Sequence, residues 1–201
     1  MIVTYAGKEQ CDILYHVIQT GVKLGKTIAV FDNSITHDLF SIYAKDSSED
    51  IIEMDGLVIA KDFSFKREEK AYDFVFIYEG LAPRYYGYTD MAVIAPSYAK
   101  AEWDMLMSHA KVCEEREIKT CLILRDKINN KISDRVALAK LDFDPQFMMY
   151  TEFNAKDYSS YIALTHNKKA KLNRNGEIYE AVSVLCDELY HMDAKTKKKY
   201  L

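Results

Sequence analysis

The sequence predicts an α/β fold, a doubly wound, mainly parallel sheet of about seven strands with helices on both faces. Three observations carry this expectation. Thr27–Phe31, the middle of Asp73–Gly80, Met91–Ala95 and Thr120–Leu124 are apolar almost without interruption, as strands are when helices cover both faces. Other segments place their apolar residues at helical spacing. The two kinds alternate along the chain, and such alternation builds parallel βαβ units.

The elements follow in order. Ile2-Val3-Thr4-Tyr5 is a β-branched and aromatic run that ends at Ala6-Gly7. Ile13, Leu14, Val17, Ile18 and Gly21 then form one helical stripe, and Gly25 closes that helix as a glycine just past a helix end does. Thr27–Phe31 is a buried strand ending at Asp32, which completes a βαβ unit with the first strand and helix. A helix over His37–Ala44 leads to a strand at Gly56–Ala60, a charged stretch at Lys66–Lys70, and the clearest strand of all, Asp73–Gly80. Met91–Pro96 repeats the buried-strand signature, and Ser97–Lys111 follows as a helix with Ala101, Trp103, Met105 and Leu106. Thr120–Leu124 is a further strand and Phe147–Tyr150 a short last one. Ile178, Ala181, Val182, Leu185 and Leu189 predict a final amphipathic helix packed on the sheet.

The composition narrows the function. With 201 residues and only three prolines, the chain is expected to form a single domain over 1–193, with a basic, flexible tail at 194–201. Hydrophobic residues at 49% and charged residues at 29% exclude a disordered scaffold. Twenty-seven Lys and Arg against 31 Asp and Glu leave a net charge of −4, so the chain as a whole carries no footprint for nucleic acid. A solvated loop is therefore favoured over a DNA contact for Lys168, Lys169, Lys171 and Arg174. The start, MIVTYAGKEQ, has no signal-peptide pattern, and no run approaches the roughly 20 apolar residues of a membrane span. In the tail only Tyr200 and Leu201 are apolar, too little for stable membrane insertion. Cys11, Cys113, Cys121 and Cys186 show no metal-ligand spacing and read as reduced structural thiols of a cytoplasmic protein.

In a doubly wound sheet, ligands bind beyond the carboxyl ends of the strands. Four strand ends are therefore of interest: Ala6-Gly7-Lys8, Asp32-Asn33-Ser34, Tyr78-Glu79-Gly80 and Leu124-Arg125-Asp126. Their order and spacing resemble the MinD/ParA-like branch of P-loop NTPases over residues 1–190, most closely in Leu24-Gly25-Lys26-Thr27-Ile28-Ala29-Val30-Phe31-Asp32. Tyr72–Ile77 looks like that family's metal-site strand, and Asp90–Pro96 looks like the strand after it. The resemblance implies a P-loop NTPase-like fold and a nucleotide site built from a glycine-rich loop, a Lys on the phosphates and a hydroxyl on Mg²⁺.

This chain departs from the pattern the resemblance implies. Its loop, Tyr5-Ala6-Gly7-Lys8-Glu9-Gln10, is short and has one glycine, and Glu9 stands where the metal-binding hydroxyl would follow the Lys. Tyr78 stands where the family has an Asp, Glu79 falls on the opposite strand face, and Arg125 replaces the Asn presented to adenine. Asp32 alone matches its expected type. The reading is a degenerate Walker A site in a pseudo-ATPase with no cofactor and no metal, nearest to localisation proteins of the TadZ/CpaE type. The alternative is an active ATPase, or a nucleotide switch with ATP and Mg²⁺ in an unconventional phosphate site.

Each residue also has a plainer role. Gly7-Lys8 is either a residual anion site or a strand-to-helix turn with a solvated Lys. Asp32 either assists water or metal or caps the next segment, and Glu79 is either a substitute metal ligand or a charged strand end. Arg84, Tyr85, Tyr86 and Tyr88 lie on the loop after the Tyr78 strand, and Tyr and Arg concentrate energy at interfaces. They predict protein partners and a nucleotide-independent homodimer through this edge, against a loop packed on its own domain.

Overall fold

The computed structural model describes residues 1–44, 48–62, 72–84, 87, 89–127, 141, 143–166, 168 and 171–201. Eight strands are formed: β1 Ile2–Gly7, β2 Ile28–Asp32, β3 Ile51–Met54, β4 Leu57–Lys61, β5 Phe74–Gly80, β6 Met91–Ala95, β7 Lys119–Lys127 and β8 Phe147–Glu152. They make one sheet in the order β3-β4-β2-β5-β1-β6-β7-β8, with every neighbouring pair parallel except β3 with β4. The strand order reverses on either side of β1, so the sheet is wound in both directions from its centre.

The described helices are α1 Asp12–Lys23, α2 Asp38–Ala44, α3 Lys100–Glu115, α4 Ala155–Thr165, α5 Glu177–Tyr190 and α6 Ala194–Tyr200. Strand alternation divides the core between two faces. Val3, Val30, Phe76 and Ile123 join Ile13, Leu14, Val17 and Ile18 of α1 and Val182 and Leu185 of α5 in one buried cluster. Ala6, Ile94, Leu122 and Leu124 project to the other face and pack with Trp103, Leu106 and Ala110 of α3. The continuous apolar runs of β2, β5 and β6 are thus buried end to end, as the expectation of a sheet covered on both sides requires.

Three elements differ from the sequence expectation. β3 adds an eighth strand, paired antiparallel to β4 across Asp55-Gly56, a dipeptide whose residues suit a two-residue hairpin turn. α4 fills a stretch for which no element was predicted, its first turn capped by the Asn154 side chain, which accepts from the Lys156 amide at 2.9 Å. The segment 194–201, expected as a flexible tail, forms α6. Asp193 caps it by accepting from the Thr196 amide at 2.7 Å, Lys197 pairs with Asp187 of α5, and Tyr200 and Leu201 pack on the core. Gly25 does lie past the end of α1, with φ +76°, as predicted.

Candidate functional site

The carboxyl ends of β1, β2 and β5 lie level. Tyr5 is in register with Tyr78, and Tyr78 with Asp32, and the Tyr5 and Tyr78 rings meet edge to face at 5.8 Å. Gly7 ends β1 opposite Ala95 of β6, and the Lys8 amide donates to the Ala95 carbonyl at 3.1 Å. From there the Lys8 side chain crosses to β7 and pairs with Asp126 at 2.6 Å. Parallel pairing therefore gathers Gly7, Lys8, Asp32, Tyr78 and Arg125 on one edge, from the ends of four different strands.

The link from β1 to α1 is only Lys8–Cys11, and α1 begins at Asp12 without a side-chain cap from Cys11. The first amides of a helix are a natural place for an anion. Here Asp12 itself supplies one: its carboxylate accepts from the Ile13 amide at 2.8 Å and from Gln10 Nε2 at 2.9 Å. Arg125 meets it in two-pronged fashion, Nη1 to Oδ1 at 2.8 Å and Nη2 to Oδ2 at 3.0 Å, and also donates to the Gln10 carbonyl at 2.9 Å. Both side chains are sealed from solvent, Arg125 at 0% exposed and Asp12 at 5%. The register of β7 against β8 slips between Leu124 and Lys127, and Asp126, the partner of Lys8, has φ +56° at that irregularity.

Glu9 spans the neighbouring gap. Its carboxylate lies over Gly80 and accepts from the Thr36 hydroxyl at 2.9 Å and the Ile35 amide at 3.4 Å, tying the loop after β1 to the loop after β2. Gly80 has φ +56°, a backbone conformation that calls for glycine, and a Cβ there would push the Glu9 carboxylate aside.

Asp32 is also turned inward. It is fully buried and accepts from the Ser34 hydroxyl at 2.6 Å, the Ser34 amide at 3.1 Å and the Phe40 amide at 2.8 Å, which makes it the cap of α2. Burial raises its carboxyl above the ordinary range, against the opposing pull of those Ser34 and Phe40 bonds. The Tyr78 hydroxyl, pushed up by burial, donates to the Lys8 carbonyl at 3.3 Å. Arg84 donates to the Asn33 carbonyl at 3.3 Å, whereas Tyr85, Tyr86 and Tyr88 lie outside the described residues.

Glu79 faces the other side of the sheet, as strand alternation predicts, and is buried with α3. Burial, helped by the Glu79 charge, pushes the Cys113 thiol up to about 11. His109, whose Nε2 lies 3.7 Å from the Cys113 sulfur, is lowered to about 4 by burial. A neutral imidazole beside a protonated thiol is not an activated nucleophile. All four cysteines are free and buried, and among the described residues no group of three or more His, Cys, Asp or Glu is arranged to hold a metal. Among the described residues no helix is long and apolar enough to cross a membrane. In the basic stretch, Lys168, Lys171 and Arg174 are exposed, and Lys169 lies outside the described residues.

Sequence reading alone did not single out Asp12 or Gln10. The available signal was an acidic residue at the first helical position, which usually means only a favourable helix dipole. Its partner is 113 residues away.

No protein-family model matches the sequence, and no curated protein matches it at a significant level. Solved structures do share the fold. MinD in the MinC:MinD cell division complex of Aquifex aeolicus has a TM-score of 0.65 at 11% identity, over 96% of this chain and 97% of that one. A plasmid partition protein of Borrelia burgdorferi B31 bound to AMPPNP gives 0.64 at 12% identity, over 95% and 99%. A ParA family ATPase of Chlorobium tepidum TLS gives 0.64 at 9% identity, over 96% and 98%. The chain thus has the α/β fold of the MinD and ParA proteins.

Proposed function

We propose that this chain is a MinD/ParA-like pseudo-ATPase, catalytically inactive, that acts as a positioning or assembly adaptor in a bacterial pilus, secretion or partition machine, as TadZ/CpaE-type localisation proteins do. The observation that carries the reading is the buried Asp12–Arg125 pair at the start of α1. A phosphate approaching the start of α1 would meet the Asp12 carboxylate, which already holds the Ile13 amide and is already paired with Arg125. Like charges held that close repel strongly. Glu9 over Gly80 adds a second carboxylate on the same edge, and Lys8 is engaged with Asp126. The chain would act without cofactor, through a homodimer that does not need nucleotide or through another protein partner, with Arg84, Tyr85, Tyr86 and Tyr88 as the docking residues.

One observation favours the alternative, an active ATPase or nucleotide switch using Lys8, Asp32 and Glu79 with ATP and Mg²⁺. The Lys8 side chain is 33% exposed, so its pair with Asp126 can open at little cost. One fold neighbour is bound to AMPPNP and another is complexed with MinC, which makes nucleotide and protein binding the two properties to measure. Calorimetric titration with ATP and Mg²⁺ should give no binding heat, phosphate release should stay at the level of buffer, and light scattering should report the same dimer with and without ATP. Turnover that Lys8→Ala abolishes would establish the alternative, and a monomer under all conditions would exclude the homodimer.

A further inference from the structure

Away from the strand edge, a cavity of about 480 Å³ opens between α1, residues 171–174 and the end of α6. Lys23 of α1, together with Lys171 and Arg174 from one short segment before α5, brings three cationic groups to it. Among the described residues lining it there is no Asp or Glu, and neither Lys23 nor Lys171 has an ion-pair partner among the described residues. Set against a carboxylate at Leu201, which also lines the cavity, the three cations still leave a net positive charge. Tyr15, Leu172 and Tyr200 supply an apolar wall, and Gln19 and Thr20 supply neutral polar atoms. His16 stands in the same lining, lowered to about 4 by burial, so at neutral pH it offers hydrogen bonding and no charge.

The volume is that of a small-ligand site, which falls at roughly 300–1,000 Å³. Converging cations with a ring-lined wall suit an anion carried on an apolar body, since the charges fix one end and the tyrosines cover the other. A long polyanion is a poorer match, because it would have to follow a surface whose total charge is −4. We propose that this cavity is a binding site for a small phosphate ester with an apolar or aromatic body, distinct from the strand-end edge and independent of whether that edge binds nucleotide.

The test uses the full chain, labelled with nitrogen-15 and titrated with phenyl phosphate, inorganic phosphate and phenol in parallel. Phenyl phosphate should give saturable shifts at the amides of residues 19–23 and 171–174 and bind more tightly than either of its halves. Lys23→Gln and Lys171→Gln should each weaken it about tenfold, the loss of one charge-assisted contact. Both residues are exposed, so the variants should melt as the wild type does. Lys100→Gln, at a cation on α3 paired with Asp104, and Lys8→Ala, at the strand edge, should bind as the wild type does. The proposal is overturned by the absence of saturable shifts, by unchanged affinity in the Lys23 and Lys171 variants, by shifts spread over unrelated surface lysines, or by loss of binding in Lys8→Ala, which would put the ligand at the strand edge.

Discussion

Asp12 and Arg125 illustrate what burial does to a pair of charges. Each alone would be costly inside the protein, and two-pronged geometry with further bonds to Gln10 and Ile13 leaves most of their hydrogen-bonding atoms satisfied. Removing one partner strands the other. Asp12→Ala and Arg125→Ala should each destabilise the protein by about 3–5 kcal/mol in urea denaturation, while Asp12→Leu with Arg125→Met should cost clearly less than the two single losses combined. A double variant as unstable as that sum would show that the pair does not act as a unit. Arg125 was identifiable from the sequence as a strand-end residue, and alternation from Ile123 puts it on the face that α1 covers, but the group it meets there was not legible, because Asp12 lies 113 residues away along the chain. Asp32 was equally visible, and the two roles left open for it differ only in what lies around it: Ser34 and the Phe40 amide make it a cap.

At the scale of the element, α4 shows how a short helix can hold an edge together. Tyr161 reaches from it to hydrogen-bond Asp38 of α2, and its hydroxyl lies 3.5 Å from the Glu9 carbonyl. The helix is therefore tied to both the loop after β1 and the start of α2. Its own beginning depends on Asn154. Asn154→Ala should lower stability by about 1 kcal/mol and Asn154→Asp should retain it, both read as shifts of the denaturation midpoint. Helix α6 is another case in which contacts override local expectation. Lys195, Lys197, Lys198 and Lys199 on their own read as a solvated tail, yet the Asp193 cap, the Lys197–Asp187 pair and the packing of Tyr200 and Leu201 on the core supply what seven residues alone lack.

At the scale of the whole molecule, the covered sheet buries groups whose charging then opposes folding. His16 and His109 are both lowered from 6.5 to about 4 by burial. Between those values the unfolded chain takes up protons that the folded chain refuses, so stability is full above about pH 6.5 and declines as the pH falls towards 4. Each histidine can account for up to about 3 kcal/mol of that decline. Denaturation at pH 7.5, 5.5 and 4.5 should show it, and His109→Gln should flatten the slope over that window. An unchanged slope would mean that His109 takes up its proton equally in both states.

The doubly wound sheet was written in the sequence because its causes are local: unbroken apolar runs, helical stripes and Gly25 each act over a few neighbours. The level ends of β1, β2 and β5 followed from parallel alternation, which places Tyr5, Asp32 and Tyr78 on one edge without reference to any distant contact. What only the tertiary structure decided was how that edge is filled. Whether Lys8 faces solvent or Asp126, where Glu9 reaches across Gly80, and which charge meets Arg125 depend on groups brought close by folding and far apart along the chain. Spacing in a sequence sets which face and which end a residue occupies, and electrostatic partnership is settled only by distance in space.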